Sequence, residues 1–138
     1  MAIDLITSAR RWIGTPYVHQ ASLQGVGSDC LGFIRGLYRE RCGEEAEDIP
    51  PYDPAWDLGS ESLRDGFARH LDEIALSTIA PGDIVLFRMV PGASARHCGL
   101  LAEQDGHLTL IHARQNKRVS EERFTTFWRR KAAYAFRF

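Results

Sequence analysis

The sequence predicts an α+β fold, a single domain over residues 1–138 in which N-terminal helices pack on a C-terminal antiparallel β-sheet. Apolar residues recur at helical spacing over residues 2–13 and again over residues 30–42. After residue 80 the pattern changes to short apolar runs, which are typical of strands. The dipeptide Asp105-Gly106 separates two of these runs and favours a tight β-hairpin. Helices that precede antiparallel strands indicate the α+β class.

Local patterns set the expected bounds of each element. Gly14-Thr15-Pro16 stops the first helix, and Gly43 ends the second. A third helix is expected over residues 60–71, with Ser60 or Ser62 as its cap. Strands are expected at residues 84–87, 98–103, 107–112 and 133–138, with a shorter strand at 117–119 and a helical turn at 124–128.

Two further segments bear on packing. Gly32 and Gly36 lie four residues apart in the second helix, which leaves a flat strip where another element can approach closely. Residues 44–59 are acidic and contain three prolines, so we expect neither a regular helix nor a central strand there. Tyr52 and Trp56 either fold this segment back as the wall of a groove or belong to a solvated connector.

Composition excludes several classes of partner. The net charge is −1, which gives no electrostatic case for binding nucleic acid. No apolar run reaches the length of a membrane span, so we expect no membrane insertion. The three cysteines show no repeated spacing and predict no disulfide framework; we expect Cys42 to be packed and Cys98 to lie in the core. The first residues do not form a secretory signal, so we expect synthesis in the cytoplasm and delivery by another route.

Cys30 is the candidate nucleophile. It opens the second helix directly after Ser28 and Asp29, either of which can cap the first turn. The N-terminus is the positive end of the helix dipole and favours the thiolate, which is the nucleophilic form of cysteine. A neighbouring imidazolium would lower the pKa of this thiol further. A small buried core residue is the alternative for Cys30 taken alone.

Hairpin geometry brings two histidines together. If Asp105-Gly106 forms a two-residue turn, Gly99 faces His112 across the hairpin. Side chains alternate along a strand, so His97 shares a face with His112 and becomes its diagonal neighbour. One imidazole can then take and return a thiol proton while the other fixes its ring and tautomer. We therefore expect Cys30, His97 and His112 to form a catalytic set.

A metal site is an alternative use of the same side chains. Cys30, His97, Cys98 and His112 are all possible zinc ligands. They lack the C-x-x-C type of spacing, and the adjacent strand residues His97 and Cys98 would point to opposite faces. We therefore expect no metal and no organic cofactor, and the zinc content of purified protein distinguishes the two readings.

Several short motifs occur in the order seen in NlpC-type cell-wall cysteine peptidases, which the chain resembles over residues 2–113. The likeness is greatest to the short, single-domain cell wall peptidases of phage tails and gene transfer agents, through Tyr17-Val18-His19-Gln20 and Pro50-Pro51-Tyr52. The motifs that carry the family resemblance are Gly14-Thr15-Pro16-Tyr17, Asp29-Cys30-Leu31-Gly32-Phe33, Pro81-Gly82-Asp83, His97-Cys98-Gly99 and Ile111-His112-Ala113.

The resemblance implies a papain-like fold and hydrolysis of an amide bond in peptidoglycan stem peptides, typically the γ-D-glutamyl to diamino-acid bond. It implies that Cys30 is the nucleophile, that His97 is the base and that His112 orients the base. The backbone N–H of Cys30 is the natural donor to the oxyanion. The candidate substrate-binding or oxyanion residues are Tyr17, Asp29 and His19.

Two departures and three other functions accompany this resemblance. Leu31 stands where serine is common after the nucleophile, and the spacing from His97 to His112 is longer than in many members. A non-enzymatic tail-tip or adaptor subunit could keep the fold and only bind. A toxin-like amidase or a cytosolic recycling enzyme would keep the chemistry in another setting. The expected partners are peptidoglycan stem peptides and phage or gene-transfer-agent tail proteins.

Overall fold

The computed structural model describes residues 4–48 and 61–138, and the predicted roles of Tyr52 and Trp56 fall outside these ranges. The helices are α1 (Leu5–Arg10), α2 (Cys30–Cys42), α3 (Ser62–Ala68) and α4 (Thr126–Lys131). The strands are β1 (Ser22–Leu23), β2 (Gly27–Ser28), β3 (Asp72–Ile74), β4 (Ile84–Phe87), β5 (His97–Gln104), β6 (His107–His112), β7 (Ser120–Arg123) and β8 (Ala132–Arg137).

One sheet dominates the part of the chain that the structure describes. Its six strands run in the order β3-β8-β4-β5-β6-β7, and every neighbouring pair is antiparallel. The two short strands β1 and β2 pair separately with each other, just before α2. Helices followed by an antiparallel sheet confirm the predicted α+β class.

Both faces of the sheet are covered. Alternation along β5 sends Leu100 to one face, where it belongs to a buried cluster with Phe33 and Leu37 of α2. The same alternation sends Leu101 to the other face, where it belongs to a second cluster with Trp128 of α4. The sheet is therefore the middle layer between the N-terminal helices and α4, and its central strand β4 is apolar and buried throughout.

Helix α2 begins and ends where its sequence predicts. The Asp29 carboxylate accepts a hydrogen bond of 2.7 Å from the backbone N–H of Gly32, which satisfies one of the free donors of the first turn. Gly43 ends the helix in the left-handed region, with φ of +83°. The prediction that Cys42 is packed is wrong: it is exposed because it lies on the outer side of the last turn.

The two glycines of α2 make the close approach that their spacing predicts. A Cβ added at Gly32 would lie 1.8 Å from the carbonyl oxygen of Ala21, and one added at Gly36 would lie 2.2 Å from the Trp12 ring. Real side chains never approach so closely, so only glycine allows these two segments to pack on the helix. The strip therefore seats Ala21, just before β1, and Trp12, just after α1, against α2.

The β5–β6 hairpin closes through the predicted two-residue turn. Asp105 and Gly106 have φ of +52° and +78°, as both central residues of a type I′ turn require. Gln104 therefore pairs with His107, and this register continues to Leu100 and Ile111. Continued by one residue on each strand, this register places Gly99 opposite His112, with His97 diagonal to it.

The first helix is shorter than predicted. The N–H groups of Trp12 and Ile13 donate to carbonyls three residues back, so the helix tightens after Arg10. The N–H of Gly14 then donates to the carbonyl of Val119 at 2.8 Å. This contact with the second half of the chain turns the backbone away from a further helical turn.

The strand predicted at residues 117–119 is wrong, because β7 begins one residue later. Residues 113–119 form a loop in which Asn116 has a left-handed φ of +63°. The N–H of Val119 donates to the carbonyl of Thr15, and the chain joins the sheet from Ser120 onward, with Ser120 opposite His112. The shift decides which residues of β7 face the histidines.

The predicted serine cap of the third helix is not found among the described residues. Ser62 lies inside α3, and the N-cap is Glu61, which makes no side-chain cap bond. The Glu61 carboxylate instead accepts from the N–H of Ala95 at 3.2 Å and from Arg88 at 3.3 Å. A tertiary contact has displaced the local capping preference. Ser60 falls outside the described ranges.

Candidate active site

Cys30 is the first residue of α2. It is half-buried and lies next to the first residues of β5. Its Sγ lies 3.8 Å from the carbonyl oxygen of Arg96, the residue before β5. Cys98 Sγ lies 3.4 Å from the carbonyl oxygen of Cys30, on the helix-facing side of the sheet. Cys98 is buried there, as its position in the strand predicts. Both the side chain and the backbone carbonyl of Cys30 therefore contact the start of β5 and the residue before it.

The surroundings of Cys30 favour its thiolate. A hydrogen bond with the Cys98 thiol, together with a hydrogen bond and the positive charge of His97, holds the pKa of Cys30 well below its ordinary value, although burial alone would raise it. The same neighbour and burial raise the pKa of Cys98, so Cys98 stays a protonated donor. Thiolate is the form that attacks an acyl carbon, so these surroundings favour transfer of the Cys30 proton to His97.

The structure brings His97 and His112 together on one face of the hairpin. His97 Nε2 and His112 Nδ1 are 2.7 Å apart, and the ring centroids are 5.0 Å apart. Gly99 makes room for this contact, since a Cβ there would lie 2.9 Å from the Cβ of His112. Trp128 packs edge-on against His112 with a centroid distance of 4.9 Å, which closes the face.

His112 is kept neutral by its surroundings. Its side chain has no exposed surface, and burial followed by the charge of His97 lowers its pKa from 6.5 to about 4. A hydrogen bond to the Glu122 carboxylate, 2.9 Å from His112 Nε2, opposes this effect in part. A neutral His112 is suited to receive a hydrogen bond from His97 rather than to compete with it for the proton.

This buried neutral histidine should make stability depend on pH. The unfolded chain takes up a proton on His112 near pH 6.5, while the folded chain does so only near pH 4, so the free energy of unfolding falls as the pH drops between these values. The pKa difference corresponds to a loss of about 3 kcal/mol. Urea unfolding at pH 7.0, 5.5 and 4.5 measures it.

His112→Asn is the comparison for this experiment. It should be less stable at pH 7, but its stability should fall less between pH 6.5 and 4.5 than that of the wild type. The lowered pKa values of Glu47 and Glu121 do not depend on His112, so they act equally in both proteins. Glu122 also loses the His112 hydrogen bond in the variant, and its titration falls at the lower end of this pH range. Equal slopes in the two proteins would contradict a neutral buried His112.

Glu122 and Trp128 complete the cluster, and neither is a residue that the sequence points to. The Trp128 ring N–H donates to Glu122 Oε1 over 2.9 Å, while Glu122 Oε2 contacts His112. Glu122 pairs with Leu110, so it is the diagonal neighbour of His112 on the same face. A correct strand at residues 120–123 would have placed it there, but Ser-Glu-Glu-Arg carries no apolar alternation.

Tyr17, predicted to bind substrate or the oxyanion, lines the groove beside Cys30. Burial raises the pKa of Tyr17 to about 12, helped by the negative charges of Asp29 and Cys30. The hydroxyl therefore stays protonated and can donate a hydrogen bond. Its backbone is fixed by a bridge to Ser28, next to the cap of α2.

Asp29 and His19, the other two candidates, differ in their surroundings. Asp29 is buried, and its two carboxylate oxygens accept from the N–H groups of Gly32 and Gln20, both at 2.7 Å. It ties the loop that carries Tyr17 to the start of α2. His19 is partly exposed in the groove, with Nδ1 4.0 Å from Asp29 Oδ2. A substrate contact by either residue remains a prediction.

A groove of about 370 Å³ opens over Cys30 and His97. Apolar side chains, among them Leu31, contribute to its walls. Its basic members are Arg96, Arg114 and Lys117, and the Arg114 guanidinium lies 5.4 Å from the Trp128 ring centre. Cations beside an apolar surface suit an extended peptide that carries carboxylates.

Residues 4–48 and 61–138 contain neither a metal-binding group of side chains nor a membrane-spanning helix. No three His, Cys, Asp or Glu side chains there are grouped so as to hold a metal ion. His97 and Cys98 point to opposite faces of β5, as their adjacent positions predict. No helix in these ranges has the length and apolar character to cross a membrane.

The comparison with protein families matches this site. The model of the NlpC/P60 family covers residues 14–137, which includes every catalytic candidate. The chain belongs to the NlpC/P60 family. Among curated proteins, the chain is 24% identical over 144 residues to the γ-DL-glutamyl hydrolase of Bacillus subtilis strain 168. The match covers 99% of this chain but 29% of that protein, so the chain spans less than a third of its relative.

Solved structures of NlpC/P60 proteins share the fold. The NlpC/p60 domain of the peptidoglycan hydrolase SagA matches with a TM-score of 0.66 and 24% identity, over 97% of this chain and 96% of that one. A family protein from Bacillus cereus ATCC 10987 gives 0.69 and 25%, over 98% and 39%. RipD from Mycobacterium tuberculosis, a non-catalytic NlpC/p60 domain protein adapted to peptidoglycan binding, gives 0.61 and 14%, over 96% and 93%.

Proposed function

We propose that this NlpC/P60 chain is a cysteine peptidase that hydrolyses an amide bond in peptidoglycan stem peptides. The observation that carries the proposal is the hydrogen-bonded pair of His97 and His112 beside a half-buried Cys30 whose pKa is lowered. Binding alone does not require a thiol of lowered pKa beside two hydrogen-bonded imidazoles.

The geometry supports a two-step acyl transfer. Cys30 Sγ attacks the scissile carbonyl carbon, and His97, having taken the thiol proton, gives it to the departing amine. Water then adds to the thioester, with His97 as the base, and Cys30 is released. The N–H of Cys30 at the helix N-terminus and the protonated hydroxyl of Tyr17 are the proposed donors to the oxyanion.

The proposed substrate bond is the one between the γ-carboxyl of D-glutamate and the diamino acid. The curated relative from Bacillus subtilis is named a γ-DL-glutamyl hydrolase, which supports γ-glutamyl recognition. In such a peptide, free carboxylates lie close to the scissile amide. The groove offers Arg96, Arg114 and Lys117 as partners for them.

The proposed setting is a phage or gene-transfer-agent tail that carries the enzyme from the cytoplasm to the cell wall. The motif likeness around Tyr17 and His19 supports this setting, and a toxin-like amidase effector is the alternative. Tail or capsid genes beside the coding sequence would support it, and an adjacent immunity gene would favour the effector. Tail proteins are the partners that this setting implies.

Digestion of purified peptidoglycan tests the activity directly. The wild type, Cys30→Ala and Cys42→Ala are incubated with sacculi, and the released fragments are analysed by mass spectrometry. Cys42 is exposed at the far end of α2, so it controls for loss of a thiol as such. We expect the wild type and Cys42→Ala to release stem peptides cut after D-glutamate, and Cys30→Ala to release none.

Each other outcome has a definite meaning. The same fragments from Cys30→Ala and the wild type would overturn the cysteine mechanism. Cleavage at a different amide that requires Cys30 would keep the peptidase and replace the substrate bond. Binding to sacculi without cleavage by any of the three proteins would establish the non-enzymatic function, of the kind for which RipD is named.

A further inference from the structure

A chain of hydrogen bonds runs from the candidate base to a carboxylate of β7. His97 Nε2 is 2.7 Å from His112 Nδ1, and His112 Nε2 is 2.9 Å from Glu122 Oε2. The other carboxylate oxygen, Oε1, accepts from the ring N–H of Trp128 at 2.9 Å. Glu122 is not among the groove-lining residues, and its hydrogen bonds link it to the site through His112 and Trp128.

The direction of each hydrogen bond follows from the carboxylate. An ionised carboxylate can only accept, so His112 Nε2 must carry the proton in its contact with Glu122. A neutral imidazole has one N–H, so His112 Nδ1 is then the acceptor. His97 Nε2 must therefore donate to it. Until His97 takes the Cys30 proton and becomes positively charged, its remaining ring nitrogen, Nδ1, carries a lone pair.

That lone pair is what the reaction needs. The His97 side chain hydrogen-bonds the Cys30 thiol, and because Nε2 is engaged by His112, Nδ1 is the atom available for this contact. If His112 held its proton on Nδ1 instead, His97 would have to accept at Nε2 and carry its own proton on Nδ1. It could not then take a proton from Cys30.

The contact with Trp128 explains why residue 122 is a carboxylate rather than an amide. The indole N–H is a donor only, and the His112 Nε2–H is a donor as well, so the two sides of residue 122 both require acceptors. A carboxylate meets both requirements, whereas an amide of the same shape meets one. Burial alone would raise the pKa of Glu122, but hydrogen bonds from His112 and Trp128 hold it below its ordinary value.

We propose that Glu122 is a positioning residue that fixes the tautomers of His112 and His97, so that His97 Nδ1 faces Cys30 as a base. The inference rests on the proposed cysteine peptidase function and adds a fourth side chain to the three that the sequence identifies. It acts through another residue and does not touch the substrate.

Glu122→Gln tests the proposal, and Glu121→Gln is its matched control on the same strand. Glutamine keeps the shape, but its amide must present N–H₂ either to His112 or to Trp128. We expect kcat/KM for a stem peptide to fall about 10- to 100-fold, through kcat, with KM unchanged. The rate of Cys30 alkylation by iodoacetamide should need a higher pH to reach half its maximum.

Glu121 faces away from the histidines and pairs with Arg10 at 3.0 Å. Glu121→Gln removes the same charge from the adjacent residue, so it should lower stability without changing kcat/KM or the alkylation profile. A Glu122→Gln protein that is folded and matches the wild type in both readouts would overturn the proposal.

Nitrogen NMR of the wild type tests the same assignment without a variant. Imidazole ¹⁵N shifts distinguish the two neutral tautomers, and we expect His112 to carry its proton on Nε2. A proton on Nδ1 would overturn the proposal. Because neither NMR nor alkylation needs peptide hydrolysis, an inactive wild type would reject the proposed function while these two readouts still decided the role of Glu122.

Discussion

Replacing His97 by glutamine is expected to lower kcat/KM for a stem peptide by at least about 10³-fold. The variant removes the group that takes the thiol proton and the positive charge that stabilises the thiolate. The alkylation rate of Cys30 should therefore also require a higher pH. Initial rates of peptide cleavage and iodoacetamide kinetics between pH 5 and 10 measure the two effects.

His107→Gln is the control for this prediction. His107 lies on the same hairpin but is exposed beside its turn, so its loss should leave both rates unchanged. The double variant His97→Gln/Cys30→Ala should be no slower than Cys30→Ala alone, because the two residues act in one step. A His97→Gln protein within tenfold of the wild-type rate would exclude His97 as the base.

Gly32→Ala is expected to lower the free energy of unfolding by about 3 kcal/mol or more. The added methyl group would lie 1.8 Å from the carbonyl oxygen of Ala21 and 3.0 Å from the cap oxygen of Asp29. The first contact is with backbone, which cannot move aside as a flexible side chain can. The loop would have to leave the helix, carrying Tyr17 with it. Urea unfolding and peptide cleavage rates measure both consequences.

Gly66→Ala is the matched control, because Gly66 also lies inside a helix. An added Cβ there would meet only the end of the Arg69 side chain, at 3.5 Å. Alanine is the better helix former, so this variant should be as stable as the wild type or more stable by up to about 1 kcal/mol. If Gly32→Ala were as stable as Gly66→Ala, the close packing of the loop on α2 would be wrong.

Local signals account for the parts of the molecule that the sequence predicts well. The Asp29 cap and Gly43 give α2 both of its ends, and the Asp105-Gly106 turn gives the hairpin its register. Register fixes the face of every side chain on both strands, so the approach of His97 and His112 follows from one dipeptide. The family prediction is confirmed by a match over residues 14–137.

The sequence could not predict the parts that depend on tertiary contacts. Strand β7 is polar, so its pairing is set by β6 and the loop before it rather than by its own pattern. Glu122 was missed for this reason. Glu61 likewise occupies the cap position where a serine is expected, and its carboxylate accepts hydrogen bonds from Ala95 and Arg88 across the fold. The role of each glutamate depends on a residue that is distant in sequence, which is Ala95 for Glu61 and His112 for Glu122.

The consecutive residues His97 and Cys98 of β5 point to opposite faces of the sheet, and each contacts a different part of the site. His97 faces the imidazole partner, and Cys98 reaches the nucleophile's own carbonyl through the opposite side. The pairing of β4 with β5 locks this arrangement from Phe87 onward. The middle of the connection at 88–96, which supplies the groove residues Met89, Val90 and Ser94, can therefore vary in length as long as the Arg96 carbonyl beside Cys30 keeps its place. We therefore expect sequence and length differences among homologues to concentrate in that connection. It is also the place where engineered changes of substrate preference should be best tolerated.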